Sequence, residues 1–360
     1  MTIHEIPLDK IQHVIEALRP HVPTCIPLYR RLQFSHFTTT SHLLSSVSLE
    51  DLLQRQSINS TNSHSEAKEE PWLVAYVDRS KRPETEVWTY GSWENDEINN
   101  SDKEDTDDGS DAMEKAQRLI RALVAEVRGI GLPTDTSTTT PLASAAGQVQ
   151  KQSLSRDSAT NVQRGEYEGH LSNPNIVLFG ALHERTVRLM GQLGILSREF
   201  VGAEIPYRKY FFDVGQIKSR AAALALPTGL HWGPVQSSHY ALVRSRTAIP
   251  RQDVTLRQLP SLAIFPADGH DPVAWSFLGP DASLSSLHVE PEYRGKGLAK
   301  LLADKLFVDE TAFFSGEQGT DADRWAHADV ANDNVPSNGV CKALGGQWSF
   351  HVYWVRIDVG

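Results

Sequence analysis

With 360 residues, 40% of them hydrophobic and 22% charged, the chain is long enough to bury two domain cores and has the composition of a soluble globular protein. No apolar run approaches the ~20 residues of a membrane span, and two distant cysteines, Cys25 and Cys341, exclude a disulfide framework and fit a reducing, cytoplasmic compartment. The net charge of −10 gives no support to a nucleic-acid partner, because it is local: ten acids face two bases between Glu94 and Lys115, and the remainder is nearly balanced.

The first residues, MTIHEIPLDK, carry Glu5 and Asp9 and read as neither a secretion signal nor a basic transit peptide. Apolar positions Ile11, Val14, Ile15 and Leu18 predict a helix over residues 8–18, closed by Pro20 and Pro23. PLYRRLQF (27–34) reads as a strand, and SLEDLL (48–53) as a helix start with Ser48 as N-cap. After a polar loop over 55–70, residues 72–77 and 85–90 read as two strands joined by a charged turn. The acidic block 94–115 reads as a solvated insertion, followed by a helix over 116–127 that Gly129 and Gly131 stop. Residues 133–169, rich in Ser, Thr and Gln, lack either period and read as a second disordered insertion. A buried strand at 176–179, a helix at 183–193 and an extended segment at 205–212 complete this half.

The character changes near Gln216. A short strand (230–235) and a modest helix (239–247) precede three strands, 261–265, 272–278 and 283–289, spaced by turns that suit an antiparallel meander. The third breaks at Pro291, and Arg294-Gly295-Lys296-Gly297-Leu298-Ala299 leads into a helix with Leu298, Leu301, Leu302 and Leu306 on one face. A glycine-bearing strand-to-helix turn gathers main-chain N–H groups and the positive end of a helix at one spot, and Arg294, Lys296 and Lys300 add charge there. The natural guest is a phosphate or pyrophosphate. A strand at 324–330, a helix at 337–344 and a long strand at 348–359 end the chain.

The loop is neither G-x-G-x-x-G nor the nucleoside-triphosphatase loop. As R-x-x-G-x-A it resembles the acyl-CoA-binding signature [QR]-x-x-G-x-[GA] of the GNAT superfamily of N-acyltransferases. Residues 328–346, ADVANDNVPSNGVCKALGG, resemble that family's second block, with Asn334 after a strand and Cys341 at the usual tyrosine. PVAW (272–275), PEYR (291–294) and the Asp329–Asn334 block are similar to the glycine N-acyltransferase-like branch. The resemblance implies an α/β fold: a largely antiparallel mixed GNAT sheet flanked by helices over 216–360, after a degenerate GNAT-like half over 1–215.

The resemblance further implies acetyl-CoA or another acyl-CoA as co-substrate. The diphosphate would rest on amides of Arg294, Gly295, Lys296, Gly297, Leu298 and Ala299, the pantetheine arm along Leu287 and Val289, and Asn334 and Ser337 would lie beside it. The acyl group would pass directly to a primary amine of a small molecule or amino acid, with no metal, nucleic acid or membrane involved. A protein lysine or N-terminal acetyltransferase, or a CoA-binding scaffold without turnover, are the alternatives. The branch's glutamate is replaced by Ser283, leaving His288 and Asp281 as candidate bases and Cys341 as candidate proton donor to the leaving thiolate. Each has a plainer reading: a half-exposed strand histidine, a turn aspartate, a small buried helix residue. His327 and His351 stand apart and show no metal-ligand spacing, and Trp275, Trp348 and Trp354 read as core or pocket wall.

Overall fold

The structure, a computed structural model, describes residues 2–59, 70–95, 107–133, 162–221, 225–310 and 324–360. The first half opens with β1 (His4–Glu5) and α1 (Ile11–Leu18), whose buried Ile11, Val14, Ile15 and Leu18 form the expected face. PLYRRLQF is not a strand. It forms α2 (Ile26–Gln33), with Pro27 in the first turn, where its fixed φ and missing N–H suit a helix start. The consecutive Arg30 and Arg31 are both buried, Arg31 with its guanidinium 4.1 Å from the centre of the Tyr76 ring.

β2 (Ser41–Ser45), a strand the sequence pattern does not announce, is followed by α3 (Leu49–Asn59). Ser48 Oγ accepts the Asp51 N–H at 3.1 Å, as a cap should. β3 (Leu73–Asp78) and β4 (Val87–Gly91) lie where alternation puts them. α4 (Asp107–Gly129) begins inside the acidic block, whose residues 96–106 lie outside the described residues. Of the second expected insertion, 134–161 lie outside them too, and its end folds as α5 (Arg164–Glu168). β5 (Ile176–His183), α6 (Glu184–Gln192), β6 (Tyr207–Asp213) and α7 (Val214–Ala221) follow.

The second half runs β7 (Leu230–Gly233), α8 (Tyr240–Ser245), α9 (Asp253–Gln258), β8 (Ser261–Pro266), β9 (Ala274–Leu278), β10 (Leu284–Val289), α10 (Leu298–Glu310), β11 (Trp325–Ala331), α11 (Val335–Ala343) and β12 (Gln347–Asp358). From β8 onward this is the strand–strand–strand–helix–strand–helix–strand order expected. β7 to β10 form a four-stranded antiparallel meander, as the turns imply.

The other sheet has the order β1-β2-β3-β4-β5-β12-β6-β11, antiparallel except where β4 meets β5. Strands therefore cross the division at residue 215 in both directions. β12 lies between β5 and β6, with Tyr353 opposite Leu182 and Gln347 opposite Phe211. β6 pairs along β11, with Lys209 opposite Asp329. Burying Val352, Val355 and Ile357 on β12 is worth about 1.5–3 kcal/mol each, so the last strand ties the halves together. Helices cover both faces: Ile120, Leu123 and Met190 pack on one side of the first-half sheet, Val14, Leu32 and Leu52 on the other. A third core around Trp275, Phe277, Leu306 and Phe307 sits behind α10. Among the described residues no helix is long and apolar enough to cross a membrane.

Two buried histidines give a pH test of this packing. Burial, reinforced by nearby arginines, pushes His170 and His183 down to about 3. His183 Nδ1 accepts the Arg185 N–H at 3.1 Å to cap α6, which only the neutral ring can do. The unfolded chain protonates near 6.5 and the folded one does not, so the contribution of each is full above pH 6.5 and lost on acidification toward 3. Buried Glu94 and Asp329, raised to about 8 and about 6, act in the opposite sense over windows that overlap this one. The clean measurement is thus the urea-unfolding difference between wild type and His183→Gln. It should shrink by about 1.4 kcal/mol per pH unit below 6.5, and a constant difference would reject the assignment.

Candidate active site

Among the described residues the two sheets touch where β10 begins, at an isolated bridge between Ser283 and His327 of β11. Beyond it the strands part. A bulge on β10 accounts for the divergence: Ser285 pairs with Phe277 and His288 with Trp275, so Ser286 and Leu287 together face Ser276. Ser286 takes φ +53°, and the Ser276 hydroxyl donates to the Ser285 carbonyl at 3.1 Å. The edge of β10 that faces the wedge can accept an extended ligand as one more strand.

At the far end of β10 the chain turns through Pro291–Tyr293 into α10. Gly295 and Gly297 sit at φ +72° and +77°, which only glycine adopts without strain. A Cβ at either would meet nothing within 4 Å, so the space above them is open. Arg294 Nε donates to the Val289 carbonyl at 2.8 Å and ties the loop to β10. The first amides of α10 have no carbonyl one turn back and point out of the helix start.

From this loop a cavity of about 800 Å³ runs along the wedge. Gly295, Gly297, Ala299, Leu287, His288 and Val289 line one side, and Asn334, Ser337 and Cys341 the other. A second cavity, about 230 Å³, lies at the junction of the two halves and is lined by Arg31, Glu84, Arg251, Asp281, Ser283 and Trp354 among others. Tyr167, Tyr207, Arg251, Ser286 and Asp329 are among the residues that line both.

Asp329 stands where they meet, and its charge is managed by buried neighbours. Lys209 Nζ lies 3.0 Å from each carboxylate oxygen but donates only to Oδ2, because Oδ1 is outside hydrogen-bonding geometry. Lys209 also donates to His327 Nδ1 at 2.8 Å, and His327 Nε2–H donates to the Asp281 carbonyl at 2.7 Å. Burial keeps this imidazole neutral, far below its ordinary value. Donor atoms of Asp281, His327 and Asp329 fall within 4.8 Å of one another, a spacing a metal could use. Here the Lys209 ammonium binds two of the three and supplies the cation itself. Burial first, and the Asp281 charge after it, lift Asp329 to about 6 against the pull of Lys209.

A family model described as the acyl-CoA N-acyltransferase verG N-terminal domain matches residues 1–210. The chain belongs to that acyl-CoA N-acyltransferase family. A family model described as FR47-like protein matches residues 261–355 of the same N-acyltransferase. No curated protein matches it. Among solved structures, a Drosophila protein from a structural-genomics programme is 12% identical with a TM-score of 0.56, covering 99% of this chain and 98% of its own; the likeness is one of fold. A tandem GNAT protein from the clavulanic acid biosynthesis pathway is 12% identical, covering 100% and 98%, with a TM-score of 0.48. An acetyltransferase of the GNAT family from Colwellia psychrerythraea is 10% identical, covering 99% and 100%, with a TM-score of 0.40.

In this N-acyltransferase most of the sequence-chosen residues share one groove: Leu287, His288, Val289, Arg294, Gly295, Gly297, Ala299, Asn334, Ser337 and Cys341 all line the larger cavity. Lys296 and Leu298 do not. Lys296 Nζ sits 4.9 Å from the centre of the Tyr293 ring, and Leu298 is buried beside Leu302 and Ile264, so each offers the groove only its amide. Lys300 lines it but spends its charge on Asp304, which Arg220 also holds. Asn334 Oδ1 accepts the Ser337 N–H at 3.0 Å to cap α11, leaving its NH₂ for a ligand.

The candidate catalytic groups divide. His288 stacks on Trp275 at 4.6 Å with Nε2 3.5 Å from Glu290, and burial lowers its basicity. It lines only the larger cavity. Cys341 is buried and pushed up to about 12, first by desolvation and then by Asp329, which makes it a poor proton donor at neutral pH and a wall of the groove. Asp281 lines only the smaller cavity, its Oδ1 taken by the Ser283 N–H and hydroxyl at 3.2 and 2.6 Å. The group that motif spacing passes over is Asp329. Its signal is in WAHADVA: His327 and Asp329, two apart, must share one face of a strand whose other positions, Trp325 apart, are small and apolar.

Proposed function

We propose that this N-acyltransferase moves an acetyl or short acyl group from acyl-CoA, lying along the larger cavity, to a primary amine of a small molecule or amino acid held in the smaller one. The observation that carries the reading is the one carboxylate, Asp329, that lines both cavities among the described residues. The open loop at Gly295 and Gly297 suits the diphosphate, and the bulged edge of β10 suits the pantetheine arm. A pocket of about 230 Å³ suits a small amine better than a folded protein.

The ammonium of the acceptor gives a proton to Asp329. Raising that carboxyl from 3.8 to about 6 narrows the gap to an amine by about 3 kcal/mol. The amine nitrogen then attacks the thioester carbonyl, and a main-chain N–H of the bulge beside His288 and Val289 meets the oxyanion. The C–S bond breaks, the thiolate takes up a proton, and the net reaction releases one proton for each amide formed. The test is thiol release from acetyl-CoA across a panel of amines, with binding of acetyl-CoA measured by calorimetry. Release with small primary amines, matched by one proton each, is expected. Release with peptides alone would make protein acetylation the function, and binding with no release for any amine would overturn the reading.

A further inference from the structure

The smaller cavity holds buried polar atoms of both signs that lack partners among the described residues. Arg31 is 3% exposed; its Nη2 donates to the Tyr76 hydroxyl at 2.7 Å, and the Tyr76 ring beneath fixes the plane of the guanidinium. Its Nη1 has no partner. Across the same cavity Asp281, 1% exposed, gives Oδ1 to Ser283 while Oδ2 accepts nothing. Arg356 Nε is likewise buried and unpartnered, although both its Nη groups donate to carbonyls, of Val201 and Tyr167. Other charges on the wall are already engaged: Lys81 with Asp78 at 3.8 Å, Arg251 with Ser285 Oγ at 3.1 Å, and Glu84 with the Gln252 N–H and Thr255 hydroxyl. A fold keeps buried polar atoms without partners where a ligand supplies them.

We propose that this cavity takes an amine that also carries an anionic group, with the ammonium between Asp281 and Asp329 and the anion on Arg31, seconded by Arg356. The proposal rests on the acyl-transfer reading and names the acceptor class within it. A zwitterion fits a small cavity that presents carboxylates, Asp281 and Asp329, and guanidiniums, Arg31 and Arg356, together. A neutral-tailed amine would leave Arg31 Nη1 buried and without an acceptor. Arg31 comes from α2 and Asp281 from the β9–β10 turn, so the first half selects the acceptor and the second carries out the chemistry.

The experiment measures kcat/KM by thiol release, with the full chain and saturating acetyl-CoA. The acceptors are ω-amino acids from glycine to 6-aminohexanoate, the matched ω-amino amides, and aminomethylphosphonate. The acids should exceed their amides by roughly 10- to 100-fold, with an optimum at one chain length. A phosphonate ahead of the amides supports the anion site equally and reports the anion it prefers. In Arg31→Met the ratio of acid to amide should collapse toward one. Should that variant fail to fold, thermal protection of the wild-type CoA complex by the best acid, and not by its amide, carries the same information. Release that proceeds equally well with acids and amides in the wild type overturns the proposal and leaves acyl transfer standing. No release with any amine removes acyl transfer, and this proposal with it.

Discussion

Asp329→Asn is expected to lower kcat/KM by about 10²–10⁴-fold, the range for losing a positioned general base. Asn keeps the shape and still accepts from Lys209, so the loss should fall on kcat rather than on the KM for acetyl-CoA. The pH profile gives the sign. The carboxylate works only when ionised, so wild-type kcat/KM should rise as pH climbs through about 6 and fall away below it. Lys209→Met removes the cation that holds the carboxyl down, so its inflection should move to higher pH. A variant Asp329→Asn with near-wild-type kcat/KM would exclude this base and return attention to His288, the remaining ionisable candidate along the groove.

Gly297→Glu should abolish coenzyme binding. At φ +77° any side chain costs about 1–2 kcal/mol of strain, but the space that a Cβ would enter is open, so nothing else is displaced in the free protein. The larger effect is electrostatic. A carboxylate about 4 Å from one diphosphate charge, at an effective dielectric near 20, costs about 4 kcal/mol, close to a thousandfold in affinity. Gly297→Ala carries the strain alone and should still bind. Calorimetric titration of acetyl-CoA into both variants separates the two terms. Equal affinities would remove the diphosphate from this loop.

The second half is the more legible in its sequence because its signals are local. A period of two gives way to helical spacing across Gly295 and Gly297, and the same residues carry both the turn and the proposed seat for the diphosphate. α2 misleads because a short, half-apolar run fits either period, and only the fold shows that an aromatic ring and distant acceptors bury both arginines. Asp329 lies inside a recognisable block, yet its role depends on Lys209, 120 positions earlier, and on Asp281 across the wedge. Periodicity carries no trace of such meetings. The place of β12 between β5 and β6 is equally hidden, since its alternation fits any neighbour with an apolar face.

That placement limits how the protein can be dissected. A recombinant fragment cut near residue 215 would lack the neighbour its terminal strand needs: the early piece would lose the ribbon that closes its sheet, and the late piece would lose Lys209 with β6. Two fragments produced separately would each expose a long unpaired edge, the usual route to aggregation. Only joint synthesis, or pairing of the two pieces as they fold, could restore Asp329 to its surroundings.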